Sequence, residues 1–460
     1  MKIHFIGIGG IGVSALAKYY LAKGQEISGC DLVASEITDQ LRKMGARVRI
    51  GTPDPSCVSP DTDMVIHSPA VPKDNLEIRN LKLEIPVLSY PQALGDLTRK
   101  HFTITVSGCH GKSTTTAMIG LLLEKAGLDP TVIVGTKIKE FGDSNCKVGK
   151  SKYLVIEADE HFSSFLNYSP TIAVVTNIER DHLDFYKNLG NIKKAFKKYI
   201  SFLPKEGMLV INKDDKHAKT IVPKNRKYGV VWYSTKQAEA KKLALTMQLP
   251  GTHNVSNAMA ALAVARLLKI PDSVSFSSLS SYKGSWRRFE IFDLKIRNCK
   301  LKIVSDYGHH PTEVKVTVEA AREKWPFDPA QGKPEIWLVY QPHQYQRTHY
   351  LWKDFVRVLS KLPIQKLILT DIYDVAGRED KAIKTKVSSE KLVKEILNTK
   401  YQIPDTLYIP TLLKVESYLK KNLRGGEVVM VMGAGDIYNL TLRLRSGRLT
   451  ERALKRRIKP

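Results

Sequence analysis

The chain is poor in the features that mark secreted, metal-stapled or membrane-embedded proteins. Its 460 residues include only five cysteines, Cys30, Cys57, Cys109, Cys146 and Cys299. They are odd in number, scattered and without a C-x-x-C pair, which excludes a disulfide framework or a zinc ribbon and points to a reducing cytosol. No apolar run approaches the length of a membrane span. The start, MKIHFIGIGG, reaches a glycine loop after one short strand where a signal peptide would carry its apolar core, so a cytoplasmic protein is expected. Acidic residues are scarce, 46 against 72 Lys and Arg, leaving a net charge of +26. Such a balance suits nucleic acid, an acidic membrane surface or multiply phosphorylated small molecules. The densest basic runs, KKAFKKY at 193–199 and RLRSGRLTERALKRRIKP at 443–460, have little aromatic interleaving and match no nucleic-acid module. They read as solvated surface, and no nucleic-acid partner is expected. Neither a repeat of solenoid period nor a low-complexity segment is present.

What is there is an α/β pattern long enough for about three domains. Residues 1–100 alternate short β-rich runs (KIHFIGI, QEISGC, ARVRI, DMVIHS, IPVLS) with helical stretches, the pattern of a parallel sheet. A second unit over 101–286 holds KYLVIEADE, TIAVVTNIERDH and GMLVINKDD, each an apolar strand emptying into polar residues. A third over 287–460 offers KIVSDYG, IWLVYQPH, KLILTDIYD and VVMVMGAGD. WPFDPAQGKP at 325–334 reads as a loop. In open parallel sheets ligands gather at the carboxyl ends of the strands, so the residues after each run are the candidates for chemistry.

Two glycine loops stand out. GIGGIG at 7–12 follows a strand and is followed by Asp31 at the end of the next, the dinucleotide fingerprint. Its backbone N–H groups would hold any pyrophosphate, so an NAD-dependent oxidoreductase and a nucleotide-sugar enzyme both fit. ITVSGCHGKSTTT at 104–116 joins a strand to a helix predicted over 113–125, with Gly108 only three residues before Gly111. Gly108, Cys109, His110, Gly111, Lys112, Ser113 and Thr114 would cradle phosphates, Lys112 adding a point charge and the Ser113 hydroxyl a ligand for Mg²⁺. The same stretch could be a plain strand-turn-helix connection. Glu157, ending YLVIE, and His182, in NIERDHLD, could complete a Mg²⁺ site with Ser113. Singly, Glu157 could be a strand-end cap and His182 a loop histidine.

GCHGKSTTT, EADE, NIERDHLDFY, GTHNVSNAMAA, SWRRFE, DYGHHPTEV, QPHQYQRT and GAGDI occur in the order and at about the spacing of the Mur ligase family, and the chain resembles that family nearly end to end. In the family's own loop the short glycine spacing is normal. The resemblance implies three domains: a Rossmann-like one for the UDP-sugar, a central P-loop one for ATP, and a C-terminal Rossmann-like one. It implies an ATP- and Mg²⁺-dependent ligase that joins L-alanine to the lactyl carboxylate of UDP-N-acetylmuramate through an acyl phosphate, in peptidoglycan precursor synthesis. The ligase that reattaches a recycled peptide is the alternative within the family. A nucleic-acid-binding NTPase and the oxidoreductase are the alternatives outside it. By the resemblance, Gly7, Gly9, Gly10, Gly12, Asp31, His67 and Ser68 would serve the UDP-sugar. His253, Asn254 and Asn257 would face adenine, Arg288 the phosphates and Asp306 the ribose or hinge. Tyr307, His309, His343, Gln344 and Arg347 would stand at the reacting end, with Lys112, Glu157, His182, His309 and Arg347 catalytic. The His309–His310 pair could equally be packing at a strand end. The sequence departs from the family pattern at His161 and Phe162, where Ser-Asp is common after EADE, and at Gln344, where Arg generally follows His343. A monomer or homodimer without membrane insertion is expected.

Overall fold

The computed structural model describes all residues except 73, 82–83, 297–298, 331–333, 376–378, 402–404 and 447–460. Part of the 325–334 loop and most of the basic run at 443–460 therefore lie outside the described residues.

The apolar runs become strands in three sheets. The first is five-stranded and wholly parallel: β1 (Lys2–Ile6), β2 (Glu26–Asp31), β3 (Arg47–Ile50), β4 (Met64–His67) and β5 (Val87–Ser89), in the order β3-β2-β1-β4-β5. The second holds β6 (Phe102–Ser107), β7 (Thr131–Ile138), β8 (Ser144–Lys147), β9 (Tyr153–Glu157), β10 (Ile172–Val175), β11 (Met208–Asn212) and β12 (Gly229–Tyr233). Its order is β12-β11-β10-β6-β9-β7-β8, with β8 alone antiparallel. The third holds β13 (Glu290–Ile296), β14 (Cys299–Asp306), β15 (Ile336–Tyr340), β16 (Lys366–Leu369), β17 (Thr406–Tyr408) and β18 (Val428–Met432). Its order is β13-β14-β18-β15-β16-β17, and β13 pairs antiparallel with β14.

Central strands such as β10, β15 and β18 are buried at every residue. That is why they read as unbroken apolar runs: helices cover both faces of a parallel sheet and leave no polar side. The chain forms two compact units. One comprises Met1–Glu179, Gly190–Leu243 and Ser256–Tyr282, and so contains the first two sheets. The other comprises Arg180–Leu189, Ala244–Val255 and Lys283–Pro460, and contains the third. Within the first unit, the helix Ile11–Ala22 is tied to β8 by polar contacts. The buried Lys18 ammonium donates to Asn145 Oδ1 at 2.9 Å, and the Asn145 amide donates to Ser14 Oγ at 3.0 Å.

No helix among the described residues is long and apolar enough to cross a membrane.

Candidate active site

The first glycine loop leaves β1 with Gly7 at φ +76°, a left-handed turn that favours glycine. Asp31 holds the loop itself: its carboxylate accepts from Gly9 N at 2.8 Å and from Val33 N at 3.2 Å. A side chain at Gly9 would meet that carboxylate, and one at Gly12 would meet the Tyr90 ring. An Asp31 engaged in this way favours a pyrophosphate cradle over the ribose-reading acid of a dehydrogenase. His67 closes β4 and bonds through Nδ1 to the Ser68 carbonyl at 3.0 Å, while Ser68 Oγ accepts from Ala70 N.

The second loop leaves β6 and starts the helix Lys112–Lys125, whose first residue is preceded by Gly111 at φ +82°. A Cβ at Gly108 would overlap Thr176, and one at Gly111 would overlap the Asn257 amide, so both glycines are required by close packing. His110 is fixed on two sides: its N–H donates to Asn177 Oδ1 at 2.9 Å and its Nε2 meets Glu179 at 3.0 Å. Cys109 is buried, its thiol accepting from Glu179 N at 3.1 Å. Lys112 folds back over the loop, donating to the Gly108 carbonyl at 2.8 Å and to Glu160 Oε2 at 2.9 Å. Burial works against the Lys112 charge, but Glu160 and then Asp159 outweigh it and raise the ammonium above its ordinary pKa. Burial pushes the Glu160 carboxyl in the same upward direction, with Lys112 opposing it. Ser113 Oγ donates to Glu157 Oε1 at 2.7 Å, and the other Glu157 oxygen accepts from Gly135 N. A hydroxyl and a carboxylate side by side at a helix N-terminus are the hard oxygen donors that Mg²⁺ prefers, so these residues fit that ion.

In the second compact unit, Asp181 and Arg347 form a buried ion pair, 4% and 8% exposed, with Nε donating to Oδ1 at 3.1 Å. Burial would raise the Asp181 carboxyl, but Arg347, then His182 and His310, hold it well below the usual range. Around this pair a small cleft is lined by His182, Asp184, Gln344, Arg347 and Tyr350. Gln344 sits at φ +71° and ψ 128°, a conformation that costs a non-glycine residue about 1–3 kcal/mol. Its N–H donates to the Tyr373 carbonyl at 3.0 Å.

Next along are two imidazoles. The His309 and His343 rings lie 5.7 Å apart, and His343 stacks on Tyr373 at 5.4 Å. Burial pushes His309 down to about 4 and His343 down to about 2, so neither carries charge at neutral pH. Two guanidinium groups lie near the Tyr307 ring, Arg287 at 4.9 Å and Arg288 at 5.1 Å. Asp306 is committed to the backbone, accepting from Phe289 N at 2.8 Å and Gly308 N at 2.7 Å. It fixes the turn between β14 and the helix Pro311–Lys324.

The motif GTHNVSN divides between the two units. Asn257 packs on Gly111, whereas His253 and Asn254 belong to the other unit. There burial pushes His253 down to about 4, and the Asn254 amide donates to the Pro250 carbonyl at 2.7 Å.

Comparison with known proteins finds relatives over most of the chain. The Mur ligase family catalytic domain matches residues 2–102, the Mur ligase middle domain 106–265 and the Mur ligase glutamate ligase domain 287–435. A UDP-N-acetylmuramate–L-alanine ligase of Acetivibrio thermocellus is 36% identical over 463 residues, covering 95% of this chain and 94% of that protein. The chain belongs to the Mur ligase family. Among solved structures, the UDP-N-acetylmuramate–alanine ligase of Thermotoga maritima superposes with a TM-score of 0.76 at 25% identity, covering 96% of this chain and 98% of that one. A murein peptide ligase of Psychrobacter arcticus shares the fold with a TM-score of 0.69 at 20% identity, covering 96% and 98%.

Sequence reading singled out the loop, Glu157, His182 and Arg347 as candidates but passed over the carboxylates that the structure places beside Lys112 and Arg347. Glu160 stood inside EADE and Asp181 inside NIERDH without a role. Each acquires one only by burial beside a cation distant in the chain, as with the 166 positions between Asp181 and Arg347. Glu313, whose carboxylate accepts from both His309 N and His310 N, was also passed over. Its place three residues after His310, at the start of an apolar-periodic helix, is a capping-box signal that could have found it.

Proposed function

We propose that this chain is an ATP-dependent ligase that joins L-alanine to the lactyl carboxylate of UDP-N-acetylmuramate, a cytoplasmic step of peptidoglycan precursor synthesis. The observation that carries the reading is the loop 108–114, with Lys112 and the Ser113–Glu157 pair converging at the N-terminus of one helix, in a chain related end to end to an L-alanine-adding ligase. A carboxylate does not yield to an amine directly, because oxide is not a viable leaving group; phosphorylation supplies one. Three domains divide the task, with boundaries near 100 and 286.

In the first unit, the loop N–H groups and the Lys112 ammonium bind and orient phosphate oxygens, and Lys112 offsets the repulsion between two anions brought together. The Ser113 hydroxyl and Glu157 carboxylate would hold Mg²⁺. When bound, that ion supplies charge neutralisation at the phosphates. The loop at 7–12 holds the UDP pyrophosphate by backbone N–H groups, and Asp31 keeps that loop in shape. In the second unit, Arg347, anchored by Asp181, sets the electrostatics of the cleft beside Gln344 and His182. His309 is neutral at physiological pH.

The test is incubation with ATP, Mg²⁺, UDP-N-acetylmuramate and a mixture of amino acids. ADP and phosphate should be released only when the sugar nucleotide and L-alanine are both present. Hydride transfer, or ATPase activity stimulated by DNA alone, would overturn the reading. Consumption of a recycled peptide in preference to L-alanine would move the chain to the other branch of the family.

A further inference from the structure

Part of the excess of positive charge stands where the ligase chemistry has no use for it. Segment 190–243 carries fourteen Lys and Arg against four Asp and Glu, ten of the chain's net +26. Three of its four acids are engaged elsewhere: Asp214 accepts from Ser234 and Thr235, Asp215 from the His217 and Ala218 N–H groups, and Glu239 pairs with Arg266.

Strands β6, β9, β10, β11 and β12 run parallel, so the segments that precede them share the amino edge of the sheet. The nucleotide loop follows β6 and stands at the opposite edge. Residues 201–207, before β11, and 222–228, before β12, are held side by side by the bond from Gly229 N to the Gly207 carbonyl at 3.0 Å. These two loops and the end of the helix Leu189–Ile200 present Lys198, Lys205, Lys224, Arg226 and Lys227, all exposed. None of the five has an ion-pair partner among the described residues. Glu206 is the one acid in the two loops. Among these cations stands Phe202, a large apolar side chain 38% exposed. The helix buries Ile192, Phe196, Tyr199 and Ile200 beneath, so its lysines face outward. Lys100 and Lys152, before β6 and β9, extend the same basic edge.

We propose that this amino edge is a docking surface for an anionic lipid bilayer, which the protein approaches peripherally with the nucleotide loop turned away from the lipid. Lysines predominate over arginine, which suits a diffuse field of headgroup phosphates better than the bidentate reading of nucleic acid. The exposed Phe202 adds the apolar contact that an interface rewards. Among the described residues this edge consists of short loops and one helix end, with no ribbon to enter a groove, which argues against duplex DNA.

The experiment is flotation of the full chain with vesicles of phosphatidylcholine, with and without phosphatidylglycerol, at low and high salt. The wild type should float only with phosphatidylglycerol, and salt should release it. The variant K198E/K205E/K224E/K227E should bind at least about tenfold more weakly, as four reversed charges require, while turning over its substrates in solution at the wild-type rate, which certifies its fold. Equal flotation with both vesicle types, or none with either, would overturn the proposal, as would binding that the four reversals leave unchanged. Displacement from the vesicles by duplex DNA at matched charge would assign the surface to nucleic acid instead.

Discussion

Replacing Asp181 with Asn would leave the Arg347 guanidinium buried without its bonded counter-charge. Both groups are nearly inaccessible and joined at 3.1 Å. Breaking one side of such a pair costs about 3–5 kcal/mol, because the remaining charge keeps its desolvation penalty and loses its compensation. With a urea dependence of about 2–3 kcal/mol per molar for a unit of this size, the unfolding midpoint should fall by about 1–2 M. The signal can be confined to the second unit. Of the five tryptophans, Trp286, Trp325, Trp337 and Trp352 lie in it and only Trp232 lies in the first, so fluorescence in a Trp232→Phe background reports that unit alone. The paired variant Asp181→Leu with Arg347→Met should recover most of the stability, since an apolar pair of similar volume has no charge left to strand. It should remain inactive if Arg347 sets the field of the cleft. A shift under about 0.3 M for Asp181→Asn, well below what the lost pairing requires, would refute the reasoning, as would a double variant less stable than the single one.

Lys112→Ala should abolish ligation while leaving UDP-N-acetylmuramate binding by calorimetry within about tenfold, or about 1.4 kcal/mol, because the two anions occupy separate glycine loops. Glu157→Ala should raise the Mg²⁺ requirement steeply, because its carboxylate contributes charge at the ion; an unchanged Mg²⁺ titration would remove it from the site. Gln344→Arg should lower KM for L-alanine by restoring a charged fork beside Arg347, worth about 1.5–3 kcal/mol, with glycine and L-serine as the comparison substrates and no gain for any of them as the refuting result. In the acid range the sign is set by Asp181. Its folded pKa is depressed, so its stabilisation is present above the unfolded value of about 3.9 and is lost as pH falls through the folded one. His309, folded near 4, also favours the folded state only while neutral, so the second unit should lose stability on acidification from near neutral pH. The Asp181→Leu, Arg347→Met variant should show a weaker acid transition by the same fluorescence assay.

Much of this was legible in the residues because function and backbone coincide in parallel sheets. Strands buried on both faces write themselves as apolar runs, and the candidate site residues stand just beyond their carboxyl ends. The loops at 7–12 and 108–114, Glu157 at the end of β9 and the helix after Lys112 were read in this way. Other features have no local signature. EIFDLKI, β13, pairs antiparallel at the edge of the third sheet, which a reading confined to parallel strands omitted. The motif GTHNVSN looks continuous, yet Asn257 packs with the nucleotide loop and His253 with the other unit, because contact partners and not sequence proximity decide. Asp31 reads as a ribose acid from spacing alone; only the bond from Gly9 N shows that it shapes the loop.

The central claim, activation of a carboxylate before amide formation, is tested most directly by following its oxygen. UDP-N-acetylmuramate carrying heavy oxygen in both positions of the lactyl carboxylate, turned over with ATP and L-alanine, should deliver one labelled oxygen to each phosphate released and retain the other in the new amide. Phosphate free of label, with amide formed, would contradict the account.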